Sequence, residues 1–218
     1  MGNVLKLTAS QVYGTLSHNV RSGATHKNKD IDITKSDQNI RLSPDWGMSD
    51  YDHYKEIIKD YHYMKRKDVV HAVSWVFTAP KDLSKENEIA FFKAVRTFLN
   101  ERYGADHELQ CIIHKDEIHK YADEKTGLRK ESRTHMHYMF VPAVADKKHG
   151  GEKICCKQVI NRKELMQIHK DLQEYINGQG LNCSVYTGIT KEQGNKTVDE
   201  LKKKSSQIKY ERERMYSF

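Results

Sequence analysis

The sequence predicts an α+β domain: a central antiparallel sheet with flanking helices packed on it. Three observations carry that expectation. Runs of β-branched and aromatic residues alternate with stretches whose apolar residues recur every three or four positions. The two clearest late strands are placed to pair as a hairpin, and the helices separate strands that are not consecutive, so they return to the sheet instead of building a repeated parallel unit. With 218 residues, 37% of them hydrophobic, the chain can bury a core of this kind.

The elements follow in order. From Tyr13 to Leu42 the chain is polar, with little periodicity, and reads as a surface loop. Ser49 caps a helix whose apolar stripe is Tyr54, Ile57, Ile58 and Tyr61, ending in the basic run Lys65, Arg66, Lys67. Val69 to Thr78, rich in β-branched and aromatic residues and stopped by Pro80, reads as a central strand. Ser84, with Glu86 and Glu88 behind it, opens a helix that aligns Phe91, Val95, Phe98 and Arg102 and closes at Gly104. Leu109 to His114 and Thr134 to Val141 read as two arms of one long hairpin across a very polar turn. Asn161 with Glu164 forms a capping-box pattern before a helix carrying Leu165, Ile168, Leu172 and Ile176, which ends at Gly178 and Gly180. A short strand over Ser184 to Tyr186 is expected next, and Thr197 with Glu200 opens a last, weakly apolar helix.

Charge and cysteine usage narrow the function classes. Thirty-seven Lys and Arg against 30 Asp and Glu leave a formal charge of +7, which favours a polyanionic partner. The four cysteines, Cys111, Cys155, Cys156 and Cys183, contain no Cys-x-x-Cys pair, so neither a disulfide framework nor a cysteine zinc site is encoded. The start MGNVLKLTAS lacks a signal peptide's apolar run, and no segment approaches the ~20 apolar residues of a membrane span. A cytoplasmic protein without stable membrane insertion is the expectation.

Chemistry concentrates in three histidines: His114 in HKDE, and His135 and His137 in THMHYMFVP. Residues two apart on a strand share a face, so His135 and His137 can converge on one ion. A four-residue loop from Glu124 to Gly127 pairs Asp123 with Leu128, and counting outward sets His114 opposite His137, on the same face. Three imidazoles suit Mn, Zn, Cu, Ni or Fe and leave coordination positions open to substrate oxygens. The bland alternative is a solvated His-x-His face without metal.

The amino-terminal stretch SHNVRSGATHKNKDIDITKSDQNIRL contains a His-Asn-x-Arg element, then Thr-His-x-Asn-Lys-Asp-Ile-Asp, then Ser and Asn. It resembles the first motif of the Pre/Mob, or MobV, plasmid mobilisation relaxases. The HKDE and THMH segments resemble that family's metal motif, and GNKTVDELK resembles a segment near the end of its catalytic domain. The resemblance implies a relaxase of the histidine-hydrophobic-histidine endonuclease superfamily with a five-stranded antiparallel sheet. Residues 1–196 would form its catalytic domain and 197–218 a helical extension, the start of a further C-terminal region. It also implies His114, His135 and His137 as ligands of a divalent cation, manganese first and magnesium second; Glu117 as the assisting acid; His18 as the nucleophile; and Arg21 as the motif's arginine. Two features depart from the pattern. About a dozen extra residues separate HKDE from THMH, read as lengthening the paired strands, and Ile40 follows Asn39 where relatives often carry Tyr.

A nicking reaction needs a nucleophile in line with the phosphorus and a cation to neutralise charge on the phosphate oxygens. Neutral imidazole, with an unperturbed pKa of about 6.5, is competent at neutral pH, whereas a tyrosine near 10 needs activation. His18 is therefore the expected nucleophile, attached to the 5′ side of the nick, with Tyr13 as runner-up and Glu117 or Asp116 taking its proton. Arg21, Lys27, Lys29, Lys65, Arg66 and Lys67 are the expected clamps on single-stranded DNA or an origin-of-transfer hairpin. The family pattern adds homodimerisation through a C-terminal region. Alternatives are a rolling-circle replication initiator or related transposase with a tyrosine nucleophile, a non-catalytic DNA-binding regulator, and a small-substrate metallohydrolase.

Overall fold

In the computed structural model, which describes residues 2–22, 28, 30–117, 120–122, 129–186 and 203, the domain is organised by five strands. These are β1 (Gly2–Thr8), β2 (Ile40–Arg41), β3 (Val70–Thr78), β4 (Glu108–His114) and β7 (His135–Phe140). All neighbours are antiparallel, in the order β1-β3-β7-β4-β2. The predicted architecture therefore holds, and the strand read from Val69 to Thr78 is an interior one.

Alternation along β7 divides the core. Met136, Tyr138 and Phe140 face α3 (Glu88–Tyr103) and α5 (Arg162–Gly178), packing with Phe91, Phe92, Val95, Leu99, Ile168, Leu172 and Ile176. Met139 belongs to the opposite face, covered by Val12 and Leu16 of α1 (Ala9–Asn19) and Tyr54 of α2 (Asp50–Ile58). Each such fully buried side chain contributes about 1.5–3 kcal/mol. Arg102 ties the two helices of the first face together through Glu164 at 2.7 Å and Asp171 at 2.9 Å.

Several boundaries differ from the sequence reading. The amino-terminal part is not one loop: β1 and α1 precede the polar stretch, and a 3₁₀ turn over Ile33–Gln38 leads into β2. Helix α1 starts where Gln11 Oε1 accepts from the Thr8 amide at 2.9 Å, the reciprocal half of a capping box. Helix α2 stops at Ile58, so Tyr61 and the basic run follow it on an irregular segment. Asn161 caps α5 by accepting from the Glu164 amide, but the Glu164 carboxylate turns to Arg102 and Tyr103. Leu165 is 40% exposed and leaves the predicted stripe. Ser184–Tyr186 forms no strand, because side chains take its amides: Asp82 accepts from Ser184, and Gln173 Oε1 accepts from Val185 and Tyr186.

A short hairpin of β5 (Lys120–Ala122) and β6 (Arg129–Glu131) stands off the main sheet. It pairs Ala122 with Arg129, the register expected from a Glu124–Gly127 turn; that turn itself lies outside the described residues. Nearer the sheet, His114 is opposite His135, not His137. The reason is asymmetry: residues 115–119 occupy one arm and only 132–134 the other, a two-residue excess. Because the shift is even, all three histidines stay on the expected face. A second pair, β8 (Ala143–Ala145) and β9 (Glu152–Ile154), the single turn α4 (Cys156–Val159) and 3₁₀ turns over Lys85–Asn87 and Ala105–His107 complete the described elements. The expected helix from Thr197 and the GNKTVDELK segment lie outside the described residues.

Candidate metal centre

The two surplus residues of the β4 arm shape the site. After His114 the chain leaves the β4–β7 ladder: the Asp116 carbonyl accepts from the Asp32 amide at 2.8 Å, and Glu117 forms a bridge with Ile31. Ser132 on the other arm donates to the Glu117 carbonyl at 2.6 Å. This bend turns the Glu117 carboxylate back over the histidines.

His114, Glu117, His135 and His137 each offer one ligand atom, and these four atoms lie within 4.8 Å of one another. Ring centroids are 4.6 Å apart for His114 and His137, 5.1 Å for His135 and His137, and 5.4 Å for His114 and His135. His114 Nδ1 and His137 Nε2 are buried with no hydrogen-bond partner. An unsatisfied buried polar atom costs about 1–3 kcal/mol, so the residues fit a cation that accepts both lone pairs. Burial, helped by Arg21 and His135, lowers the His114 pKa to about 4, and burial holds His137 well below the ordinary imidazole value. Both rings are thus kept as neutral donors. For Glu117, burial pushes the carboxyl up, but hydrogen bonds from His135 and His18 prevail and hold it well below the ordinary range.

His18 sits in the last turn of α1, not on a loop. Its Nε2 is 3.2 Å from Glu117 Oε1, and its ring centre is 6.4 Å from that of His114. With 37% of its side chain accessible, it faces both the cluster and solvent. Arg21 follows the helix in the left-handed region, φ 59°, and directs its guanidinium inward. Nε and Nη2 fork onto Asp116 at 2.8 and 2.7 Å, Nη2 reaches Glu117 at 2.9 Å, and Nη1 donates to the His18 carbonyl at 2.9 Å. Asp116 is fully buried and also accepts from Ser36 at 2.7 Å. Burial would raise its carboxyl, yet Arg21 and Ser36 hold it well below the usual carboxylate range, so it is ion-paired with Arg21.

Other sequence candidates lie elsewhere. Tyr13 is 60% exposed and packs edge-on against Tyr51, with ring centres 5.2 Å apart. It lines a groove of about 510 Å³ beside α1, shared with Leu16, Ser17, Val20, Arg41 and Met48. Lys65, Arg66 and Lys67 are exposed ahead of β3, whose opposite end, Thr78, pairs with His135; Arg66 pairs with Asp68 at 3.2 Å. Lys27 and Lys29 lie outside the described residues. Gln110 escaped the sequence reading, although a glutamine inside ELQCIIH was the available signal. It is buried, accepts from Asn19 at 2.8 Å and donates to the Leu16 carbonyl at 3.2 Å, anchoring α1 to β4 beside the cluster.

Comparison with known proteins agrees with this geometry. The sequence model of the plasmid recombination enzyme family, Mob_Pre, matches residues 1–212. Among curated relatives, a plasmid recombination enzyme of Streptococcus agalactiae is 29% identical over 95% of this chain and 40% of its own length. One from Lactiplantibacillus plantarum is 28% identical over 96% of this chain and 54% of its own length. The chain therefore spans about half the length of the curated relatives it matches. Among solved structures, the manganese-bound MobM relaxase domain (MOBV; Mob_Pre) with plasmid pMV158 oriT DNA superposes with a TM-score of 0.72. It is 27% identical, with 93% of this chain and 97% of that one covered. A family match across nearly every residue, carried by the same sheet, is sufficient: the chain belongs to the plasmid recombination enzyme (Mob_Pre) family.

Proposed function

We propose that this chain is the DNA-nicking domain of a plasmid-mobilising relaxase, acting on single-stranded DNA at a transfer origin and retaining the 5′ end as a phosphohistidine. One observation carries the reading: Glu117 and three histidines form a cation-sized donor set, and the same carboxylate lies 3.2 Å from His18. The DNA-bound, manganese-bound state of the MobM domain supports the substrate class and the metal.

His114, His135, His137 and Glu117 would hold the ion; when bound, the divalent cation supplies charge neutralisation at the phosphate oxygens and orients the phosphodiester. His18 would attack the phosphorus through a neutral ring nitrogen. The nitrogen–phosphorus bond forms, the bond to the 3′ oxygen breaks, and a free 3′ hydroxyl leaves after taking up a proton. The proton lost by the ring passes to Glu117 or to water. Arg21 fixes the carbonyl of His18 and the Glu117 carboxylate together, so nucleophile and acceptor keep one spacing. Retention of the phosphoramidate and of the 3′ hydroxyl permits the reverse joining. Tyr13 and Met48 give the groove along α1 exposed aromatic and apolar surface on which an unpaired base can stack.

A randomised single-stranded library, incubated with manganese or with EDTA, tests the proposal. Cleavage at one sequence with DNA covalently held by His18 is expected; cleavage insensitive to EDTA, or no adduct, defeats it.

A further inference from the structure

Beyond the end of β7 farthest from the candidate centre, a second group of side chains gathers. His62, on the segment after α2, and Asp146 and His149, in the turn joining β8 to β9, bring one donor atom each within 4.8 Å of one another. We propose that these three residues form a second metal site, able to take zinc, that clamps the β8–β9 turn to the segment after α2.

The donor geometry suits an ion. Both imidazole Nδ1 atoms approach the same carboxylate oxygen, His62 at 3.2 Å and His149 at 2.9 Å from Asp146 Oδ2. Ligands about 2.0–2.2 Å from a zinc ion stand about 3.0–3.5 Å from each other, so the His62 separation lies in that range, while His149, now hydrogen-bonded to Oδ2, would give up that bond and move out by a few tenths of an ångström to share the centre. Two imidazoles and one carboxylate form a donor set zinc accepts, and they supply too few oxygens for calcium or magnesium. His62 and His149 are each about half exposed, which leaves room for a water or another oxygen at the fourth position.

The backbone is fixed before any ion arrives. Asp146 is buried, its amide donates to the Gly151 carbonyl at 2.9 Å, and its carbonyl accepts from Gly150 at 2.9 Å. Gly150 and Gly151, at φ 79° and 67°, allow that reversal. The other oxygen, Oδ1, accepts from the Lys148 amide at 3.1 Å and lies 3.8 Å from Lys153 Nζ, so Oδ2 is the oxygen left for the ligand role. His62 is locked by a bridge to Lys153: its amide donates to the Glu152 carbonyl at 3.0 Å and its carbonyl accepts from Ile154 at 2.9 Å. Binding would thus cost little ordering. Lys153 opposes the ion electrostatically, and its retreat into solvent is the main rearrangement required. The clamp would hold Lys65 to Lys67, just after His62, against the turn carrying Lys147 and Lys148.

Zinc stoichiometry after EDTA stripping and dialysis against zinc tests the site. In a His114→Ala/His135→Ala chain, which disables the first centre, one zinc per chain is expected, with a raised Tm. Addition of His62→Ala or His149→Ala should abolish both, and Asp146→Asn should weaken uptake at least tenfold. In the otherwise unaltered chain, zinc content should fall from two to one with His149→Ala. No zinc on the double variant, or uptake indifferent to His62 and His149 in both backgrounds, overturns the proposal.

Discussion

His114 Nε2 lies 2.8 Å from the backbone carbonyl oxygen of Asn19. That bond fixes the tautomer, because Nε2 must carry the proton, and it leaves the Nδ1 lone pair aimed at the cluster. It also couples two elements: the strand that supplies a ligand holds the helix end that carries His18. His114→Ala should therefore abolish manganese binding and also misplace His18. Isothermal titration with manganese should show at least a hundredfold weaker binding, and normal affinity would remove His114 from the centre.

The depressed histidines predict an acid-sensitive metal-free form. Unfolded imidazole titrates near 6.5, whereas His114 titrates at about 4 in the fold. Between those values the unfolded chain binds the extra proton, so stability falls as pH drops through that window and is unaffected by His114 above it. His137 acts in the same direction. Glu117 and Asp116, whose pKa values are lowered, add a further loss below the ordinary carboxylate range. Thermal denaturation of the metal-free protein should show a flat Tm from pH 8 to about 6.5 and a steady decline toward pH 4.5. Manganese should raise the Tm and extend the decline to lower pH without moving its start near 6.5. A Tm independent of pH down to 5 would contradict the burial of these rings.

Arg21 cannot be replaced by lysine. Its fork spans both oxygens of a fully buried Asp116 while a third nitrogen holds the His18 carbonyl, a geometry one ammonium cannot reproduce. Arg21→Lys should retain metal and slow adduct formation about ten- to a hundredfold, the usual cost of losing an orienting partner. Arg21→Ala leaves the Asp116 charge buried and unpaired, which costs about 3–5 kcal/mol, and should lower the Tm sharply. Unchanged single-turnover rates in Arg21→Lys would show that the fork serves stability alone.

The face of each histidine was legible in the sequence, while their register was not. Alternation has a period of two, so any even error in the turn count preserves the face, and the expected pairing of His114 with His137 was off by two. What failed was the assumption that both arms have equal length, since periodicity contains no sign that Lys115 to Glu117 bend away from the ladder. Helix α1 was hidden for a different reason: only Val12, Leu16 and Asn19 of it are buried, too sparse a stripe to register. Thr8 with Gln11 three residues later was the readable signal. Helices α3 and α5 were plain because, in helices of 16 and 17 residues, their buried residues recur mostly at three and four positions.

Glu117 is expected to be a ligand as well as a neighbour of His18. One oxygen is 3.2 Å from His135 Nε2 and the other 3.2 Å from His18 Nε2. Glu117→Gln keeps shape and removes charge, so manganese affinity should fall at least about tenfold together with adduct yield. If affinity holds while adduct formation collapses, the carboxylate serves the nucleophile only.

Tyr13 and His18 stand on one helix but in different surroundings, and this separates their roles. His18 touches Glu117 and the Arg21 guanidinium, whereas Tyr13 lies against Tyr51 over the groove. Tyr13 meets the Tyr51 ring, whereas His18 is the one of the two that engages the Glu117 carboxylate of the cation cluster. Tyr13→Phe should therefore form the covalent DNA adduct at the normal rate. Tyr13→Ala should weaken single-stranded DNA binding by about 1–3 kcal/mol, the worth of one stacked base, with chemistry at saturating DNA unchanged. His18→Ala should bind DNA and manganese normally and yield no adduct, with cleavage reduced by about a thousandfold or more, the scale of losing a nucleophile. Denaturing gels of labelled DNA with each variant read all three outcomes. An adduct that survives His18→Ala and disappears in Tyr13→Phe would reverse the assignment and move the chain toward the tyrosine-dependent initiators.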